Sequence, residues 1–227
     1  MLFLNHLQIK RGKMKYPVII FDWDGTLMDS IDKIVTCVQH AAAACQLSPP
    51  SAQAVRHIIG LSLEKSMQTL FPLENKSKHG EMIDAYRQQY LHINQQETPF
   101  YPGIRVWLQS LKEQGYILAV ATGKGRRGLN RMMDKYDVLD LFSVTYCADE
   151  TCSKPDPLML YKILETLDVK AEQALMIGDS SYDLEMANNA NIACVGVTYG
   201  VHDQQILSQF KPIAILNDLP TQLGSYI

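Results

Sequence analysis

The sequence predicts an α/β protein, a doubly wound parallel sheet carrying an inserted all-helical cap. Short, almost uninterrupted apolar runs alternate with longer stretches whose apolar residues recur at helical spacing. That is the pattern of parallel strands covered on both faces by crossover helices. The alternation fails once, between Phe21 and Ile117, over a span far longer than a crossover needs.

In chain order, Val18–Phe21 is the first strand. Ile31, Ile34, Val35, Val38, Ala42 and Cys45 then fall at helical spacing, and Asp29-Ser30 is the expected cap of that helix. Further helical stretches are expected over Ser51–Ile58, Leu63–Leu70 and Gly80–Asn94, with breaks at Ser48-Pro49-Pro50, Phe71-Pro72 and Pro99–Gly103. Residues 31–99 therefore read as a helical cap domain. Residues 16–30 and 100–227 read as the α/β core on which it is mounted. The core continues with strands Ile117–Ala121, Val144–Cys147, Ala174–Ile177, Ile192–Val197 and Ile213–Leu216. Helices Ile104–Gln114, Gly128–Tyr136, Pro157–Leu167, Ser181–Ala190 and Gln204–Phe210 are interleaved with them. Residues 1–15, MLFLNHLQIKRGKMK, are basic and acid-free, with the apolar part short and ahead of the charges. This is not the layout of a secretory signal; a disordered extension is expected, with Met14 as an alternative start.

Composition narrows the function classes. A chain of 227 residues, 47% of them hydrophobic, can bury one core and a smaller second one. A net charge of −3 argues against a nucleic-acid footprint or a polybasic membrane patch, and no apolar run is long enough to span a bilayer. The five cysteines are irregularly spaced and form no C-x-x-C pair, so free thiols in a reducing cytoplasm are expected.

The polar residues at the strand ends carry the chemistry. VIIF is followed by DWDGT, which places Asp22 and Asp24 at the carboxyl end of the first strand. The second strand ends in Thr122-Gly123, and ALMIG is followed by DSSYD, giving Asp179 and Asp183. Ligands of open α/β sheets bind outside the carboxyl ends of the strands, so these acids converge on one crevice. Taken singly, each feature is ordinary: an acid after a strand often caps a turn, Gly25 and Gly178 are turn glycines, and Lys154 is a loop lysine. Jointly, the crowded carboxylates would repel one another unless a divalent cation intervened, and an all-oxygen donor set points to Mg²⁺. With Thr122, Lys154 and the turn amides at Gly25 and Gly123, the site reads as one for phosphoryl transfer.

VATGKGRRGLN (residues 120–130) also fits G-x-G-x-x-G, with Asp149 near the place where a ribose-binding acid would be sought. A dinucleotide-binding oxidoreductase is thus a remote alternative. It leaves the four aspartates unexplained. Lys124, Arg126 and Arg127 then line the rim or face solvent.

FDWDGTLMDS, ATG, SKPDP and GDSSYDLEMANNA, in that order, resemble the four motifs of the haloacid dehalogenase superfamily, and the layout is most similar to its phosphoglycolate phosphatases. The resemblance runs from Tyr16 to Ile227 and departs at Asn191, where relatives often carry glycine. It implies a Rossmann-like core with a helical cap and an Mg²⁺-dependent phosphatase acting on a small phosphorylated metabolite, as a monomer or homodimer. It further implies that Asp22 is the nucleophile and Asp24 the acid and base. The ion would be held by Asp22, Asp179 and the backbone carbonyl of Asp24. Thr122 and Lys154 would bind the phosphoryl oxygens, with Gly123 allowing close backbone approach, while Asp183 would orient Lys154 or a metal-bound water.

Asp24 favours a phosphate monoester, since dehalogenating and phosphonate-cleaving relatives lack an aspartate there. A phosphomutase of the β-phosphoglucomutase kind keeps both aspartates and is the runner-up. In the cap, Arg56 and His57, with Ser62, Glu64 and Lys65 around Gly60, are the candidate readers of the substrate.

Overall fold

The computed structural model describes residues 14–227, so the expected extension up to Lys13 lies outside the described residues. The strands are β1 (Val18–Phe21), β2 (Ile117–Thr122), β3 (Val144–Cys147), β4 (Ala174–Gly178), β5 (Ala193–Val197) and β6 (Ala214–Leu216). They form one six-stranded sheet in the order β3-β2-β1-β4-β5-β6, and every pairing is parallel. The order reverses between β1 and β4, which makes the carboxyl edge there the natural ligand crevice.

Alternation along the strands feeds two cores. Ile19, Phe21, Leu118, Val120, Leu175 and Ile177 pack on one face, and Val18, Ile20, Ala119, Ala121, Ala174 and Met176 on the other. Both faces are covered by helices, so the strands carry apolar residues at nearly every position. This is why they were visible as continuous runs.

A third buried cluster lies entirely between β1 and β2 in sequence and is helical. It joins helix α1 (Ile31–Ala44), α2 (Ala52–Ile58), α3 (Leu63–Leu70) and α4 (Lys76–Gln88) through Val38, Val55, Met67, Met82 and Tyr86, among others. The helix expected over Gly80–Asn94 starts earlier and ends differently. Asn75 caps it by accepting from the Lys78 amide at 3.0 Å, and Gln89–Ile93 widen into a π turn. The expected Ser30 cap of α1 is corrected too. Ser30 occupies the cap position, but its hydroxyl makes no cap bond and is given to Asp24.

Helix α6 (Arg126–Tyr136), which follows α5 (Ile104–Gln114), starts before the expected Gly128 because Asp149 caps it. Both Asp149 oxygens accept from the Arg126 amide, at 3.0 Å each. Asn191 takes φ 56°, the left-handed conformation that asparagine tolerates better than most residues. All five cysteines are free, and burial pushes the Cys37 and Cys194 thiols up to about 11. No described helix is long and apolar enough to cross a membrane.

Candidate active site

Register assembles the site. Phe21 is level with Val120 and Ile177, so Asp22, Thr122 and Asp179 leave adjacent strands at one edge. The Asp22 amide donates to the Ile177 carbonyl at 2.9 Å, which carries the ladder one residue past β1. Gly25 turns back over this edge with φ +88°, and a Cβ there would collide with the Asp179 carboxylate. The turn therefore needs glycine for both conformation and space.

Asp179 is fixed at both oxygens. The Thr26 hydroxyl donates to Oδ1 at 2.7 Å and the Val201 amide to Oδ2 at 2.9 Å. Lys154, 1% exposed, donates to Asp22 Oδ1 at 2.7 Å and to Asp183 Oδ1 at 2.6 Å. Asp183 heads helix α8 (Ser181–Asn189), after α7 (Leu158–Leu167), and its Oδ2 accepts from the Ser180 amide and hydroxyl. Lys154, expected against the substrate, is thus buried directly behind Asp22, a residue of the cavity wall.

The electrostatics are unbalanced. Asp22, Asp179 and Asp183 each offer an oxygen within 4.8 Å of the others, against the single ammonium of Lys154. Burial, together with Asp183 and Asp179, pushes Asp22 well above the usual carboxylate range despite Lys154. Burial and then Asp183 push Asp179 up to about 7, opposed by the Thr26 hydrogen bond. Burial alone would lower Lys154, but Asp183 and Asp22 outweigh it and raise it. A compact, all-oxygen, overcharged cluster fits a hard divalent cation, which would relieve the repulsion that raises these acids.

Asp24 is held from two sides. The Ser30 hydroxyl donates to Oδ1 at 2.7 Å, and Lys124 Nζ donates to Oδ1 at 3.0 Å and Oδ2 at 2.8 Å. This corrects the expectation for Lys124, whose side chain is 9% exposed and inside the site rather than on its rim. Of its neighbours, Arg127 lines the cavity, and Arg126 is engaged by Glu150 and the Thr145 carbonyl. Sequence offered no signal that separates Lys124 from a solvated lysine; it stands two residues past Thr122 on the turn after β2.

Thr122 Oγ1 accepts from the Lys124 amide at 3.1 Å, which leaves its own proton to give to an oxygen in the cavity. Gly123 lines the cavity and also seats the cap. The space beside it is filled by the carbonyls of Gly60 and Leu61 from the cap, and a Cβ would strike both. The cap is further tied down by the Ser62 amide donating to Ser153 Oγ at 2.9 Å.

Between cap and core lies a cavity of about 750 Å³, into which Asp22, Asp24, Thr122 and Lys124 face Tyr90 and Leu61 of the cap. Arg56 and His57 do not line it. Arg56 pairs with Asp32 at the surface, and His57 packs against Tyr182 and His202. Ser62, Glu64 and Lys65 are also absent from the lining, while Gly60 is part of it.

A family model described as haloacid dehalogenase-like hydrolase matches residues 19–197. The chain belongs to that family. The probable phosphatase IndB of Dickeya dadantii is 31% identical over 215 residues, covering 92% of this chain and 93% of its own. A phosphoglycolate phosphatase of Pseudomonas putida is 29% identical over 210 residues, covering 89% and 76%. A crystal structure of a predicted phosphoglycolate phosphatase from Haemophilus somnus superposes with a TM-score of 0.85 at 26% identity, covering 94% of this chain and 99% of that one. Two residues of the dinucleotide pattern have other work in this fold: Asp149 caps α6 and Gly123 seats the cap.

Proposed function

We propose that this haloacid dehalogenase-like hydrolase is an Mg²⁺-dependent phosphatase that cleaves a small phosphate monoester, of the phosphoglycolate or sugar phosphate class, through an aspartyl phosphate on Asp22. The observation that carries the proposal is the state of Asp22. It lies at the cavity, Lys154 takes only Oδ1, and Oδ2 has no protein donor among the described residues. That oxygen is free to attack phosphorus, breaking the bond to the leaving oxygen.

Asp24, across the same cavity, gives a proton to the departing oxygen. It then takes one from the water that attacks the aspartyl phosphate, and Asp22 is released as carboxylate. Thr122 donates to a phosphoryl oxygen, and Lys154 offsets the charge that gathers beside Asp22. Asp183 keeps Lys154 in place. Held by Asp22, Asp179 and the Asp24 carbonyl, Mg²⁺ would neutralise the surplus charge and polarise the phosphoryl group.

The test is a phosphate-release screen over phosphorylated metabolites with and without Mg²⁺, using Asp22→Asn as the blank. Metal-dependent release that survives Asp22→Asn would overturn the nucleophile assignment. Turnover that requires a sugar bisphosphate, with no free phosphate accumulating, would replace the phosphatase with a phosphomutase.

A further inference from the structure

The side chain of Lys124 has no counterpart in the roles assigned above, yet it is among the most constrained in the cavity. Its Nζ reaches both oxygens of Asp24, and the two side chains are only 9% and 12% exposed. Its backbone amide is committed to Thr122 Oγ1. Its methylene stem passes Gly128, where an added Cβ would meet Lys124 Cγ at 3.3 Å. The cap contributes as well: the Tyr90 ring, on the π turn after α4, lies 4.8 Å from the ammonium. A cation packed along its stem and covered by an aromatic face has few other places to go.

We infer that Lys124 is a positioning residue for the second half of the reaction, holding Asp24 as an oriented carboxylate that takes the proton of the attacking water. The inference rests on the phosphatase mechanism proposed above. In that step the water oxygen bonds to phosphorus, and its proton passes to Asp24. The bond between phosphorus and Asp22 breaks, with the electron pair returning to the Asp22 carboxylate. The proton gained by Asp24 is the one available to the next leaving oxygen. Two contacts from an ammonium on a packed stem and one from the Ser30 hydroxyl fix the carboxylate plane, which a single hydrogen bond would leave free to rotate.

The experiment is rapid-mixing kinetics with p-nitrophenyl phosphate and Mg²⁺. This substrate's leaving group departs without an acid, so the two half-reactions separate. Lys124→Met is expected to release a burst of about one equivalent of p-nitrophenolate per enzyme, then turn over about 10²-fold more slowly than wild type, with phosphoenzyme recovered after acid quench. Lys124→Arg, which can grip both oxygens, is expected to remove the burst and restore most of the steady rate. A Lys124→Met enzyme that slows both phases equally, or only raises KM, would overturn the inference; Lys124→Gln carries the same comparison if the Met variant does not fold. Asp24→Asn must itself show the burst and Asp22→Asn must show no release. If those controls fail, the mechanism is wrong and not the role of Lys124.

Discussion

The ammonium of Lys154 lies 2.7 Å from the Asp22 carboxylate, and both side chains are sealed from solvent. Three buried carboxylates share this one cation. Lys154→Met is therefore expected to destabilise the metal-free chain by roughly 3–5 kcal/mol, the cost of leaving buried charge uncompensated. Urea unfolding in a chelator measures it, and adding Mg²⁺ should recover part of the loss.

Asp22→Asn should behave in the opposite way. It removes a carboxylate that its surroundings push towards the protonated state, so the fold should keep or gain stability. Phosphate release should nevertheless fall by at least about 10³-fold, as expected when a nucleophile is removed. Loss of activity without loss of melting temperature is the signature to look for.

The acids also predict how the metal-free chain responds to pH. Asp179 binds its proton up to about pH 7 in the folded chain, against a reference value of 3.8. The folded state thus holds a proton that the unfolded state has released. The associated stability is fully present below the reference value and is lost as pH rises through about 7. Denaturation midpoints in a chelator should fall across that window. Divalent cations should flatten the fall, and their binding at pH 6 should release protons that calorimetry in two buffers can count.

Gly123→Ala places a methyl group against the carbonyls of Gly60 and Leu61. Backbone cannot yield as a flexible side chain would, so the cap should sit further from the core. Activity is expected to drop by about 10–100-fold, in line with the cost of small misplacements at a reacting centre. Thermal stability of the core should change little.

Arg56→Ala and His57→Ala are expected to leave the substrate profile unchanged, because neither side chain lines the cavity. The exposed Arg56–Asp32 pair should contribute at most about 1 kcal/mol. A shift in relative kcat/KM across the substrate panel would reinstate them as readers.

Much of the site was legible because parallel strands buried on both faces leave continuous apolar runs, and the residue ending each run has a fixed destination. Asp22, Asp24, Thr122 and Asp179 follow from that rule alone. Lys154 and Asp183 sit off the strand ends; they were legible as members of the site, and the motif resemblance supplied their individual roles. Ser30, Lys124 and the cap residues obeyed no such rule. Ser30 stands where a helix cap belongs, but a carboxylate six positions earlier is a stronger acceptor for its hydroxyl once the turn at Gly25 brings the two together. Lys124 follows a glycine on a turn, where local sequence permits solvent as readily as burial.

The sequence by itself determined the sheet, the inserted helical cap and the edge at which the acids gather, since these depend on periodicity and on where strands end. Tertiary structure decided which charges meet. Lys124 found Asp24 across 100 positions, Lys154 turned to Asp22 and Asp183, and Gly123 gave its space to the cap. Burial strengthens an ion pair and penalises an unpaired charge, so those partners were fixed only when the core and cap closed over them.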